Sequence, residues 1–164
     1  MNIEKIIEQL RKNEVLILPT DTIYGLTSTV TDENKAKINT IKKRDVNQEL
    51  IILVSSIKMA RRWIHTDEES SEVLESYTPT TVIGVAQKGE PFQAVRIVRE
   101  KNLANIIEKV GPLYSTSANL HNEAYKDDLD LFKTILDEDK IYYTKRLSDK
   151  PSRIFNSLLG TFLR

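Results

Sequence analysis

Straight after the short apolar run Val15–Leu18, the stretch Pro19-Thr20-Asp21-Thr22-Ile23-Tyr24-Gly25 places two hydroxyls on either side of a carboxylate. Groups of this kind at the end of a strand can orient the polar parts of a ligand, because the loops there lie outside the packed sheet. The same residues also suit a capped turn, with Gly25 taking a positive backbone angle. A second cluster, Lys42-Lys43-Arg44, closes a segment of helical pattern. Lys42 and Arg44 can set a point charge and a bidentate fork on one polyphosphate, or simply complement a helix C-terminus. The third cluster, Tyr114-Ser115-Thr116-Ser117-Ala118-Asn119, follows an apolar strand. It offers small hydroxyls and an amide that bind polar groups without excluding a ligand by bulk, or it is a turn.

Other machineries are absent from the sequence. None of the five glycines sits in a phosphate-cradling or dinucleotide-binding loop. With two histidines, His65 and His121, and no cysteine, a histidine-rich metal site, a thiol nucleophile and a disulfide are all excluded. Neither histidine sits in a triad context; His65, after Trp63 and Ile64, reads as a helix-end residue. The lack of cysteine suits a reducing cytoplasm. Twenty-four basic and 24 acidic side chains cancel, so binding to a polyanion must come from a local basic surface. The opening residues, MNIEKIIEQLRKNEV, mix acids with apolar residues and read as neither signal peptide nor membrane span.

The elements that must position these clusters follow from periodicity. Ile3, Ile6, Ile7 and Leu10 predict an amphipathic helix. Helices are also expected over 33–43, 58–65, 70–77, 103–110 and 129–136. The acids Asp67, Glu68 and Glu69 favour the start of the helix over 70–77, and Gly111-Pro112 ends the one over 103–110. Strands are expected over 15–18, 50–54, 80–85, 94–98, 113–116, 141–144, 153–155 and 158–163. No repeat or linker divides the chain, so one domain over residues 1–164 is expected. Uneven alternation, with adjacent strands in the middle, predicts an α/β fold with a mixed sheet.

Taken in order, the clusters resemble the YrdC-like family of threonylcarbamoyl-AMP synthases. PTDTIYGL is similar to its N-terminal signature, Lys42-Lys43-Arg44 to its Lys-x-Arg, and Ser117-Ala118-Asn119 to its Ser-x-Asn. Pro79-Thr80-Thr81, Val95-Arg96-Ile97, Pro151-Ser152 and Leu163-Arg164 are weaker echoes. The resemblance implies a twisted mixed β-sheet wrapped by helices around a large, positively lined cavity. It implies that Thr22, Arg96, Ser117 and Ser152 surround L-threonine, with Arg96 on its carboxylate. Lys42, Arg44, Asn119 and Arg164 would hold ATP as its Mg2+ complex, with no protein nucleophile and no tightly bound cofactor. The implied reaction joins L-threonine, bicarbonate and ATP into threonylcarbamoyl-adenylate and pyrophosphate. A downstream transferase complex would then modify tRNA next to the anticodon, and direct tRNA binding would be weak.

The chain departs from the family pattern at Asp45, where proline is usual, at Gln48-Glu49, where a Lys-Pro or Lys-Gly pair is common, and at Arg153, which replaces the threonine expected after Ser152. After Asn119 it runs Leu-His-Asn-Glu, without the frequent Ser-Gly. These departures support an alternative, a non-catalytic RNA- or nucleotide-binding paralogue that keeps the cavity.

Overall fold

The Asn2 side chain accepts the Lys5 N–H and starts helix α1 (Ile3–Arg11), whose Ile6, Ile7 and Leu10 are buried. The computed structural model describes residues 1–148 and 150–164. After α1 come β1 (Leu16–Pro19), β2 (Tyr24–Thr29), α2 (Asp32–Ile41), β3 (Ile51–Val54), α3 (Ile57–Ala60) and α4 (Glu68–Leu74). The rest is β4 (Thr80–Val85), β5 (Phe92–Ile97), α5 (Lys101–Val110), β6 (Leu113–Ser117), α6 (Leu129–Lys133), a short 3₁₀ turn, β7 (Arg153–Asn156) and β8 (Thr161–Phe162). These strands form one sheet in the order β1-β2-β6-β3-β5-β4-β7-β8. The β3–β5 and β4–β7 pairs are parallel and the other pairs antiparallel, so the expected mixed α/β sheet is present.

One face of the sheet packs Ile52, Val54, Val82, Val95 and Tyr114 into the larger core. The opposite face packs Leu16, Leu18, Leu53 and Leu113 against Ile6 and Leu10 of α1 and Leu103, Ile106 and Ile107 of α5. Because side chains alternate along each strand, cross-strand partners share a face. On this second face Leu18 pairs with Gly25, Gly25 with Ser117, Ile51 with Ser115, and Leu53 and Thr81 with Arg96. Past the leucines covered by α1 and α5, this face turns small and polar. That uncovered part is the floor of a cleft.

Several elements differ from those expected. Strand β2 falls on YGLTST, for which periodicity predicts no strand and whose first residues belong to the expected turn, and it pairs β1 as a hairpin. Gly25 does not take a positive angle; a Cβ there would stand 2.5 Å from Ser115 Oγ and 3.2 Å from Thr116 O, so glycine permits the close approach of β6. The expected strand over 141–144 is only a single bridge from Ile141 to Ile17, supported by Tyr142 N donating to Ile17 O. It caps the outer edge of β1. The helix expected over 58–65 stops at Ala60, because Ile64 is drawn into a bridge with Ala86 and His65 N donates to Val85 O. The helix expected over 129–136 likewise stops at Lys133. Among the described residues, no helix is long and apolar enough to cross a membrane.

Candidate functional site

The cleft has a volume of about 380 Å³, within the usual range for small-molecule sites. Its floor is Gly25, Ser115 and Ser117. Its walls come from Thr22 on the β1–β2 turn, Arg96 on β5, Ser152 before β7 and Arg164 after β8. Five of the eight residues expected at the site therefore meet here: Thr22, Arg96, Ser117, Ser152 and Arg164. Thr20 and Tyr125 line it as well. Thr20 lies inside the signature stretch, whereas nothing in the sequence around Tyr125 marks it.

The turn is built by its own hydroxyls. Thr20 Oγ1 donates to Ile23 O at 2.6 Å and accepts the Thr22 N–H at 3.1 Å. With its proton committed, Thr20 Oγ1 accepts from Thr22 Oγ1, also at 3.1 Å. The Thr22 oxygen in turn accepts Arg96 Nη1 at 3.2 Å. Arg96 is 5 % exposed, and its Nη2 lies 3.1 Å from Asp21 Oδ1. Burial pulls its pKa down, opposed by the Asp21 charge, and Arg164 across the cleft pulls the same way as burial. Its Nε is buried without a hydrogen-bond partner among the described residues. Ser152 Oγ shares a hydrogen bond with Thr81 Oγ1 at 2.8 Å, and Ser152 O accepts Arg164 Nε at 2.9 Å. A cleft holding two guanidiniums and a row of hydroxyls suits a small anion that carries further polar groups.

Lys42, Arg44 and Asn119 are not in the cleft wall; they sit behind the Ser117 side of it. Helix α2 ends with Lys43 at φ 59°, Lys43 N donating to Thr40 O and Arg44 N to Asn39 O. This left-handed terminus turns Lys42 inward and leaves Lys43 exposed. Lys42 Nζ donates to Ser117 O and Asn119 O, each at 2.7 Å, and to Asn119 Oδ1 at 2.9 Å. All three ammonium protons are therefore used by the protein. Lys42 is 2 % exposed, and burial together with Arg44 lowers its pKa to about 8. Ser117 Oγ donates to Asn119 Oδ1 at 2.5 Å, and the Lys42 carbonyl accepts His121 N at 2.9 Å. Arg44 is half-buried; its Nε donates to Asn39 Oδ1 at 2.8 Å, and its terminal nitrogens have no partner among the described residues. The fully buried Asn39 also donates to Val46 O and Gln48 O, fixing the loop after Arg44. The helical position of Asn39 gives no sign of this role in the sequence. Among the described residues, no three His, Cys, Asp or Glu side chains are grouped to hold a metal ion.

Known proteins share both sequence and architecture with this chain. Residues 8–154 match the profile of the Sua5/YciO/YrdC family, which carries the description telomere recombination. A protein of Haemophilus influenzae named threonylcarbamoyl-AMP synthase is 31% identical over 138 residues, 75% of each chain. One of that name from Actinobacillus succinogenes is 27% identical over 100% of this chain and 99% of its own. Among solved structures, P. abyssi Sua5 complexed with L-threonine superposes with a TM-score of 0.78 at 18% identity over 95% of this chain. This chain spans about half of that protein, 51% of its length. E. coli YciO gives 0.79 at 19% identity, over 94% of this chain and 82% of its own. The likeness to these two structures concerns the fold; the profile match and the 31% identical relative establish the family. The chain belongs to the Sua5/YciO/YrdC family.

Proposed function

We propose that this protein synthesises threonylcarbamoyl-adenylate from L-threonine, bicarbonate and ATP, releasing pyrophosphate, to supply the modification of adenosine next to the anticodon of tRNA. One observation carries the reading: Thr22, Arg96, Ser117, Ser152 and Arg164, distant in sequence, surround one cleft. The names of the curated relatives support it as well. In this reading Arg96, which lines the cleft, holds the threonine carboxylate, and the Thr22, Ser117 and Ser152 oxygens surround the rest of the amino acid. The amine attacks the carbon of bicarbonate, and water leaves as the carbamate forms. A carbamate oxygen then attacks the α-phosphorus of ATP, and the bond to pyrophosphate breaks.

Arg164 and the free terminal nitrogens of Arg44 would take phosphate oxygens, with Asn119 beside them. Lys42, its donors already used, would lend charge from behind the Ser117–Asn119 strand end, or exchange one acceptor for a phosphate oxygen. Magnesium would arrive as part of the nucleotide complex, liganded by phosphate and water. Catalysis here is orientation and charge neutralisation, and needs no protein nucleophile. The adenylate would pass to a threonylcarbamoyl transferase complex in the cytoplasm, with only weak contact between this chain and tRNA. The test is to mix purified protein with MgATP, bicarbonate and labelled L-threonine, then look for labelled adenylate and threonine-dependent pyrophosphate. Nucleotide binding without adenylate, across a range of pH and magnesium, would reject the synthase in favour of the non-catalytic paralogue.

A further inference from the structure

Asp21 stands between the two hydroxyls of the turn. Its side chain is 8% exposed, a depth at which a carboxylate is retained only with partners. Two neighbours hold it: Arg96 Nη2 lies 3.1 Å from Oδ1, and the Arg99 N–H donates to Oδ2 at 3.3 Å. Arg99 itself is anchored through Nη2 to the carbonyls of Glu75 and Ser76. The Asp21–Arg96 pair is nevertheless incomplete. Although Nη2 is near, Asp21 Oδ1 receives no aligned hydrogen bond, and Arg96 Nε has no acceptor among the described residues. A guanidinium can present a bidentate fork from its Nε–Nη2 edge. Here Asp21 draws Nη2 and Thr22 draws Nη1, so the guanidinium is pinned at two points with Nε unused. Arg164, which interacts electrostatically with Arg96, is a second cation of the cleft.

Resting on the synthase reading, we propose that Asp21 is a positioning residue for Arg96 that also trims the charge of the cleft from two positives to one, so that the site takes an amino-acid carboxylate in preference to a phosphate dianion. The pinned guanidinium has little freedom to lose when a carboxylate arrives, which favours binding. Cancelling one cation weakens the attraction for a doubly charged anion more than for a singly charged one, since the Coulomb term scales with ligand charge. Selectivity of this kind has a use in a site next to a polyphosphate: inorganic phosphate and pyrophosphate would otherwise occupy the amino-acid position.

The experiment measures L-threonine and inorganic phosphate binding by calorimetry on the wild-type chain, Asp21→Asn, Asp21→Glu and Asp21→Asn/Arg164→Gln. In Asp21→Asn the threonine dissociation constant should rise about tenfold, the loss of one well-held charge-assisted contact. Phosphate should move the other way and bind about tenfold tighter, as the buried Arg96 charge goes uncompensated. Asp21→Glu, which keeps the charge but shifts the carboxylate, should weaken threonine and leave phosphate unchanged. The double variant should return phosphate to its wild-type affinity. A purely structural Asp21 would weaken both ligands together. Removing one partner of a buried pair can also unfold the chain; if Asp21→Asn does not fold, the Glu variant decides. Unchanged threonine binding in Asp21→Glu, or weakened phosphate binding in it, overturns the proposal. Failure of the wild-type chain to bind L-threonine at all overturns the synthase reading instead.

Discussion

Replacing Lys42 by methionine keeps roughly the shape of the side chain while deleting three hydrogen bonds, and the structure says which oxygens suffer. Ser117 O keeps the Asn119 N–H at 2.9 Å, and Asn119 Oδ1 keeps the Ser117 hydroxyl at 2.5 Å. Asn119 O loses its only donor among the described residues. One orphaned acceptor costs about 1–3 kcal/mol. Against this, burial and Arg44 hold the Lys42 pKa near 8 instead of 10.5. At neutral pH the charged ammonium therefore lowers stability by roughly 3 kcal/mol relative to water, which methionine relieves. The two effects nearly offset. Lys42→Met should change unfolding stability at pH 7 by less than about 2 kcal/mol in either direction, yet reduce adenylate formation at least tenfold because the Ser117–Asn119 turn loses its brace. The pH dependence has a definite sign. Between pH 8 and 10.5 the unfolded chain keeps the lysine proton and the folded chain does not. Wild-type stability should therefore rise with pH relative to Lys42→Met, by up to about 3 kcal/mol across that window. Urea unfolding of both proteins from pH 7 to 10.5 checks it. A stability difference flat over this range would refute burial as the cause.

The helix terminus supports two further substitutions. Lys43→Gly should stabilise the chain by about 1 kcal/mol in urea unfolding, since Lys43 adopts φ 59°, which costs an L-residue about that much. Arg44→Ala should lower adenylate formation at least tenfold, as hydrogen bonds to charged groups contribute about 1.5–3 kcal/mol, and Arg44→Lys should be intermediate. Lys43→Ala should leave activity unchanged, and equal defects in the two alanine variants would reduce the cluster to a solvated helix end. Gly25→Ala should push β2 from β6, lowering stability by about 1–3 kcal/mol and raising the KM for threonine; a silent variant would contradict the 2.5 Å approach to Ser115. Serine should be used less well than threonine by only about 1–3 kcal/mol, the contribution of one methyl, in competition assays.

Where burial is uniform and the residues are large, the fold is legible in the sequence: Leu16–Leu18 and Ile51–Val54 are strands, and the Ile3, Ile6, Ile7 and Leu10 spacing is a helix. Strand β2 escapes such reading because the cleft and the close β6 neighbour require small residues. YGLTST has only two large apolar side chains in six positions, although five of the six are buried. The site is half legible for a related reason. Local motifs mark the turn and the strand end, but Arg96 meets Thr22 across 74 residues and Lys42 meets Ser117 across 75. No periodicity encodes such a meeting. Asn39 and Tyr125 give no signal, since one looks like any helix asparagine and the other like any loop aromatic. The Lys-x-Arg pattern marks Lys42 as a cation for phosphate but does not reveal the backbone and amide oxygens that its ammonium meets within the protein.

The departures from the family pattern differ in where their side chains point. Asp45 is exposed and accepts the Asn47 N–H through its own side chain. Gln48 contributes its backbone carbonyl to Asn39, a contact any residue supplies. Glu49 pairs with Lys35 at 2.6 Å, beside a separate groove that contains Trp63 and Tyr114. Its negative charge is thus matched locally and does not face the cleft. Arg153 alternates with Ser152 and Ile154 along the chain, and those two line the cleft while it does not. Its guanidinium donates to Thr80 Oγ1 and Ser76 Oγ and lies 4.5 Å from the centre of the Phe162 ring. There it staples β7 to β4 and β8, and so helps to hold the strand that carries Arg164 to the cleft. A threonine at position 153 could make neither the ring contact nor the reach to Ser76. The substitution therefore acts on the support of one cleft cation. None of the side chains at these four positions lines the cleft, so the departures leave its lining hydroxyls and guanidiniums in place.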